Sequence, residues 1–311
     1  MSIALVFPGQ GSQAVGMGRA LADAFPVARD VFARVDAALG EPLSRLMFSG
    51  PEAELTRTAN AQPALMAVSL AAMRVLETEA GLAVSQAAFV AGHSLGEYSA
   101  LAAAGAFEVE VAARLLRLRG EAMQRAVPAG QGAMAALIGV EEDQACAIVA
   151  EAAGDDVCDI ANDNGGGQIV VSGTAPAVER AVAIAKGRGV KRAVMLQVSA
   201  PFHCRLMAPA AEAMRAALAE AEIRAPAVPV VANRLAQPIT APDDIRQALV
   251  DQVCGTVRWR ESVRHMAAAG VTEFIEVGSG KVLAGLVKRI APEASARSVG
   301  TPDDIAAFTA R

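Results

Sequence analysis

A serine at position 94 stands in Gly92-His93-Ser94-Leu95-Gly96, after a short apolar run and before a helix-like one. G-x-S-x-G in that setting is the pattern of a nucleophile elbow. The glycines permit a crowded, strained turn that lifts the hydroxyl clear of a sheet and aims the Leu95 N–H, at a helix N-terminus, toward any oxyanion that forms. A glycine-flanked turn with a serine N-cap would read the same way. A serine hydroxyl needs a base, and the chain has three histidines. His93 adjoins the serine, and neighbours on an elbow point apart. His265 lies in the helical stretch SVRHMAAAG and reads as surface or helix-end. His203, in VSAPFHCRLM, follows a strand that ends near Ser199 and a turn through Pro201. Loops at strand ends are where α/β enzymes keep catalytic groups. His203 is therefore the expected base, with a buried structural histidine as the alternative. The acids between the two, Glu97, Glu108, Glu110, Glu121 and a later cluster, have no recognisable local setting. The third place of a triad is left open to a backbone carbonyl.

On a helical wheel of Phe107–Val127, Ala112, Leu115, Leu116, Ala122 and Met123 share one apolar arc. Arg114, Arg117, Glu121, Gln124 and Arg125 lie opposite, as a solvated face should. Arg119 falls inside the apolar arc. An unpaired buried guanidinium costs several kcal/mol, so Arg119 must meet an anion. That anion is either an internal carboxylate or a substrate carboxylate held in the two-pronged geometry that arginine offers. Two glycine loops fail as phosphate cradles. PGQGSQAVGMG lacks the third glycine of a dinucleotide loop, and VGSGKVL has Val282 where a P-loop needs Ser or Thr. The first makes better sense as a second source of oxyanion donors, its glycines letting backbone amides come close to a ligand. NDNGGGQ (162–168) reads as a turn between strands.

These residues need a large framework. The 311-residue chain is 53% hydrophobic and 20% charged with only 4% aromatics, so Ala, Val and Leu must pack helices onto a buried sheet. A net charge of −5 offers no electrostatic reason to expect nucleic acid. Four scattered cysteines without a C-x-x-C read as reduced thiols. The N-terminal stretch has no basic region ahead of its short apolar run, and no apolar run reaches the roughly 18–20 residues of a membrane span. A cytoplasmic, monomeric protein is expected.

The expected elements are strands at 2–7, 87–91, 228–232 and 273–277, with helices at Met17–Ala38, Pro63–Ala80, Ser94–Ala104, Phe107–Val127, Ala208–Ala221, Asp243–Cys254 and Ser262–Ala269. Between them, strands at 133–139, 157–162, 168–173 and 191–198 and helices at 141–153 and 175–188 give the β-α-β-β-α-β order of a ferredoxin-like unit. The expected fold is α/β: a hydrolase-like core with a parallel sheet over 1–127 and 199–311, and an inserted ferredoxin-like subdomain over 128–198.

FPGQGSQ, GHSLGEYSAL, the RG at 119–120, APFH and VGSGKVL, in this order from residue 3 to about 290, resemble the malonyl-CoA–acyl carrier protein transacylase family of fatty-acid synthesis. They also resemble the acyltransferase domains of polyketide synthases. The resemblance implies that Ser94 is acylated, that His203 is its base and that Arg119 holds the malonyl carboxylate. It further implies an oxyanion hole from the backbone N–H groups of Gln10 and Leu95, and a backbone carbonyl of Gln252 that orients the histidine. It implies no cofactor, only the substrates malonyl-CoA and holo-acyl carrier protein. Two positions depart from the family pattern. Ser279 stands where VGPGKVL is usual, and Phe202 stands before the histidine where many bacterial members carry Ser. A phenylalanine there resembles polyketide acyltransferases that choose malonyl over methylmalonyl, and makes Phe202 a substrate-binding candidate. Lys186, Arg188, Lys191, Arg192 and Arg205 are candidates for docking an acidic carrier, with a plain solvated face as the alternative. The rival functions are a carboxylesterase or thioesterase, an acyltransferase serving a polyketide synthase or a malonate decarboxylase, and a catalytically silent scaffold.

Overall fold

A computed structural model describes residues 2–310. The N-terminal half alternates short strands and long helices: β1 (Ile3–Phe7), α1 (Arg19–Ala24), α2 (Pro26–Leu39), α3 (Leu43–Ser49), α4 (Glu52–Thr56), α5 (Thr58–Ala80), β2 (Phe89–Gly92), α6 (Gly96–Ala103) and α7 (Val109–Ala126). A second unit follows as β3 (Gly132–Ile138), α8 (Glu142–Ala153), β4 (Cys158–Asp163), β5 (Gln168–Thr174), α9 (Ala175–Gly187) and β6 (Arg192–Met195). The chain then returns through α10 (Ala208–Glu220), β7 (Val230–Ala232), β8 (Gln237–Ile239), α11 (Pro242–Cys254), α12 (Trp259–Ala268), β9 (Glu273–Val277), α13 (Val282–Ile290), β10 (Ser295–Val299) and α14 (Pro302–Thr309).

The larger sheet has the order β10-β9-β1-β2-β7-β8. Its pairings are parallel except for the last, where β8 runs antiparallel to β7. Its central strands are covered on both faces, which is why they read as continuous apolar runs. Side chains alternate: Leu5 and Phe7 enter a large core with α2, α5 and α7, while Ala4 and Val6 face Trp259, Val263 and Phe274 on the other side. The second sheet, β4-β5-β3-β6, is antiparallel and has its own core between the sheet and α8 and α9. Its β-α-β-β-α-β connectivity and strand order are ferredoxin-like.

Several boundaries differ from the sequence reading. The helix expected over Met17–Ala38 is two helices, because Pro26 pushes Phe25 into an extended conformation (φ −127°, ψ 119°). Pro63 does not open its helix. α5 starts five residues earlier at Thr58 and carries Pro63 inside, and that added turn brings Gln62 into the site described below. The strand expected over 191–198 stops at Met195, freeing 196–198 to line a cavity. After residue 280 the structure adds α13, β10 and α14 to the expected elements. Among the described residues no helix is long and apolar enough to cross a membrane.

Candidate active site

The elbow follows from local sterics. β2 enters it and α6 leaves it, with Ser94 in the left-handed region at φ 54°. Such a conformation in a non-glycine residue costs about 1–3 kcal/mol, so it must be held. A Cβ on Gly92 would lie 1.9 Å from Gly96 C, and one on Gly96 would lie 2.2 Å from the Phe7 carbonyl oxygen. Glycine is required at both. Asn233, just after β7, straps the turn: its Oδ1 accepts the Ser94 N–H at 2.7 Å and its Nδ2 donates to Gly92 O at 2.6 Å.

His203 lies 4% exposed with Nε2 2.7 Å from Ser94 Oγ, and its Nδ1 is 2.9 Å from the backbone carbonyl of Gln252. Gln252 sits in the last turn of α11, where carbonyls lack their usual helical partner and carry partial negative charge; its oxygen takes a longer bond from the Gly255 N–H at 3.3 Å as well as serving His203. No carboxylate is needed there to set the tautomer. His203 arrives by a different route from the one its strand-end position suggests. The strand before it, β6, belongs to the antiparallel sheet, and the loop crosses back into the core with His203 itself at φ 57°. Burial, and then the positive charge of Arg119, push the imidazole pKa down to about 3. It is a neutral acceptor at ordinary pH, ready to take a proton from the serine.

Arg119 is 1% exposed. Nη1 donates to Gln62 Oε1 at 2.7 Å, and Nη2 donates to Gln252 Oε1 at 2.8 Å and to Ser94 Oγ at 3.2 Å. The guanidinium carbon sits 5.7 Å from the centre of the Tyr98 ring. Its Nε has no partner, and among the described residues no carboxylate reaches ion-pair distance. Burial pulls its pKa downward, yet a guanidinium keeps its proton in proteins. A charged group stands beside the serine with no ion-pair partner among the described residues, the buried Glu97 acting on it only from behind Gln252. Gly120 makes this placement possible: a Cβ there would lie 2.5 Å from Ala59 Cα and 2.6 Å from Thr58 O, so α7 touches α5 backbone to backbone.

Ser94, His203, Arg119, Gln10, Leu95 and Phe202 all line one cavity of about 300 Å³, together with Gln62, Met123, Met134, Asn162 and Val198. The Leu95 N–H at the mouth of α6 and the Gln10 N–H after β1 have no hydrogen-bond partner among the described residues. Both are available to an oxyanion. Gln10 is further tied to the guanidinium. Its Oε1 accepts from Thr58 Oγ1 at 2.9 Å, Thr58 Oγ1 accepts from Gln62 Nε2 at 2.9 Å, and Gln62 Oε1 accepts from Arg119. His93 turns away, bonding Asn164 at 2.9 Å, while His265 packs edge-on to Phe89. Of the docking candidates, Arg205 is paired with Asp159 and Arg188 with Glu151, whereas Lys186, Lys191 and Arg192 are exposed and have no carboxylate partner among the described residues. Among the described residues no cluster of His, Cys, Asp or Glu has metal-binding geometry.

Glu97 is 1% exposed beneath the serine, and its Oε2 accepts from Asn233 N at 3.0 Å and Gln252 Nε2 at 2.8 Å. Burial raises its pKa to about 7 against these bonds and Arg119. The sequence offered no signal for it beyond its place in the elbow motif. Its linkage to stability opposes that of His203. Below 6.5 the unfolded histidine takes up a proton that the folded one refuses until about 3, so stability falls as pH drops through that range. The folded Glu97 keeps a proton that the unfolded one loses near 4.5, so stability falls as pH rises from 4.5 to about 7. Between 4.5 and 6.5 the two slopes cancel. Glu97→Gln removes one of them, and the variant's stability relative to the parent is expected to rise across pH 4.5–7. Urea midpoints at several pH values test this, and a pH-independent difference would refute it.

Fold and cavity together have the make-up of an acyl-transferring α/β enzyme. The chain belongs to the acyl transferase domain family, whose model matches residues 4–304. It is 47% identical over 304 residues to the malonyl CoA-acyl carrier protein transacylase of Escherichia coli (strain K12), covering 98% of this chain and 97% of that one. Among solved structures it resembles the acyl-carrier-protein-S-malonyltransferase of Bartonella henselae, with a TM-score of 0.96 and 55% identity over 99% and 98% of the two chains. It also resembles a malonyl-transacylase solved with its type II PKS acyl-carrier protein, with a TM-score of 0.96 and 42% identity over 100% and 99% of the chains.

Proposed function

We propose that this protein moves a malonyl group from malonyl-CoA to the phosphopantetheine thiol of holo-acyl carrier protein, supplying malonyl carrier protein to fatty acid biosynthesis. The observation that carries this reading is the buried guanidinium of Arg119, 3.2 Å from Ser94 Oγ and with no carboxylate at ion-pair distance among the described residues. An acyl group ending in a carboxylate supplies the missing charge and, in doing so, lays its thioester over the serine.

In the first half-reaction His203 Nε2 accepts the Ser94 proton as Oγ adds to the thioester carbonyl. The oxyanion draws on the N–H groups of Gln10 and Leu95, and the imidazolium on the Gln252 carbonyl at the negative end of α11. Collapse expels CoA as the thiol, which takes the proton back from His203, and leaves malonyl ester on Ser94. In the second half the carrier thiol gives its proton to His203 and adds to the ester, and collapse expels Ser94 Oγ, which takes that proton back from His203 Nε2. A carbonyl partner supports imidazolium less than a carboxylate would, which favours a thiol acceptor over water. The apolar walls of Met123, Met134 and Val198 limit water further.

Mass spectrometry after mixing with malonyl-CoA tests the reading. A malonyl adduct mapped to Ser94 and discharged by holo-carrier protein is expected. No adduct, or malonate release that dominates at saturating carrier, would overturn it.

Phe202, 9% exposed on the cavity wall beside His203, is the element that excludes a branched donor. Phe202→Ser should raise kcat/KM for methylmalonyl-CoA relative to malonyl-CoA by about 10–100-fold, the 1–3 kcal/mol that size rejection supplies. Unchanged selectivity would dismiss the steric account.

A further inference from the structure

The Arg119 guanidinium is held at both ends by side-chain amide oxygens, Gln62 Oε1 and Gln252 Oε1. An amide can turn over and present its NH2 instead, which would repel a guanidinium, so something must fix each one. Thr58 fixes Gln62, because Gln62 Nε2 donates to its hydroxyl. For Gln252 the fixing group is Glu97. Gln252 Nε2 lies 2.8 Å from Glu97 Oε2, 2.9 Å from the Ser94 carbonyl and 3.4 Å from Asn233 Oδ1. All three are acceptors, and the Asn233 Oδ1 and Ser94 carbonyl oxygens already serve backbone N–H groups of the elbow. Glu97 Oε2 is itself anchored by the Asn233 N–H.

We propose that Glu97 is a positioning residue for donor selection: by accepting from Gln252 Nε2 it locks that amide with Oε1 on Arg119, and so holds the guanidinium at Ser94 for the carboxylate of the acyl donor. The inference rests on malonyl transfer at Ser94. It gives Gln252 two separable duties. Its backbone carbonyl serves His203, which any donor needs, and its side chain serves Arg119, which only a carboxylate-bearing donor uses. The acceptor oxygen matters rather than the charge, so glutamine at 97 can replace glutamate.

The test compares binding of malonyl-CoA and acetyl-CoA by calorimetry in a Ser94→Ala background, where neither donor turns over. Glu97→Leu and, independently, Gln252→Met are expected to raise Kd for malonyl-CoA by about tenfold or more while leaving acetyl-CoA within about twofold. Glu97→Gln should keep the malonyl preference. Thermal melting reports whether Glu97→Leu folds, and Gln252→Met, which is close in shape and leaves the backbone carbonyl in place, stands in if it does not. Equal loss of both donors in a folded variant, or an undiminished malonyl preference in Gln252→Met, overturns the inference. A Ser94→Ala parent that binds the two donors alike overturns instead the function on which it rests.

Discussion

Ser94→Ala is expected to lower malonyl transfer by about 10⁴-fold or more, since no covalent intermediate can form. Apart from the 3.2 Å bond that Arg119 Nη2 gives to Ser94 Oγ, the loss should be confined to chemistry. The alanine leaves untouched the Gln62 and Gln252 oxygens that hold Arg119, the unpartnered N–H groups of Gln10 and Leu95, and the Asn233 strap, whose bonds are to backbone atoms. Malonyl-CoA should therefore still bind, and adduct formation should vanish. Single-turnover mixing with mass detection separates the two, and a variant that retained a malonyl adduct, or lost less than about tenfold in rate, would remove Ser94 from the reaction.

Arg119→Ala carries the second large effect, and its value lies in a contrast between donors. Removing one partner of a buried charge pair costs about 3–5 kcal/mol. Malonyl transfer should thus fall by about 10²–10⁴-fold in kcat/KM. Acetyl transfer has no carboxylate to lose and should change little, so the ratio of the two donors is the readout. Arg119→Lys keeps a charge but not the fork that engages Gln62 and Gln252 together, and should recover only part of the preference. Equal losses for both donors would mean that the guanidinium supports the elbow and does not receive substrate.

Those residues were legible in the sequence for different reasons. Ser94 carries a motif whose glycines have no alternative, as the 1.9 Å and 2.2 Å approaches at Gly92 and Gly96 make plain. Arg119 announced itself by standing on the wrong side of an amphipathic helix. His203 was found by elimination among three histidines, although the strand before it lies in the other sheet. What stayed invisible is the amide and hydroxyl framework of Gln62, Asn233, Thr58 and the side chain of Gln252, together with Glu97. Neutral polar residues on helices and loops have no periodic or spacing signature. Their meaning comes from the approach of α5, α7 and α11 in space, which a linear reading does not contain. The helix starts erred in the same way. Pro63 looked like a first-turn proline, and moving the start back to Thr58 is what places Gln62 against Arg119. The α/β class and the separate antiparallel sheet were readable because hydrophobic runs and their order report layers directly.

The contact at Gly120 reaches beyond packing. Because a methyl there would meet Ala59 Cα at 2.5 Å, the seat of the Arg119 guanidinium against the Gln62 amide of α5 is set by how near two main chains can come. The place of the cation is thus built into the scaffold itself. Side chains of the lining can change while that seat stays put, but moving the cation away from Gln62 would require two helices to be re-spaced.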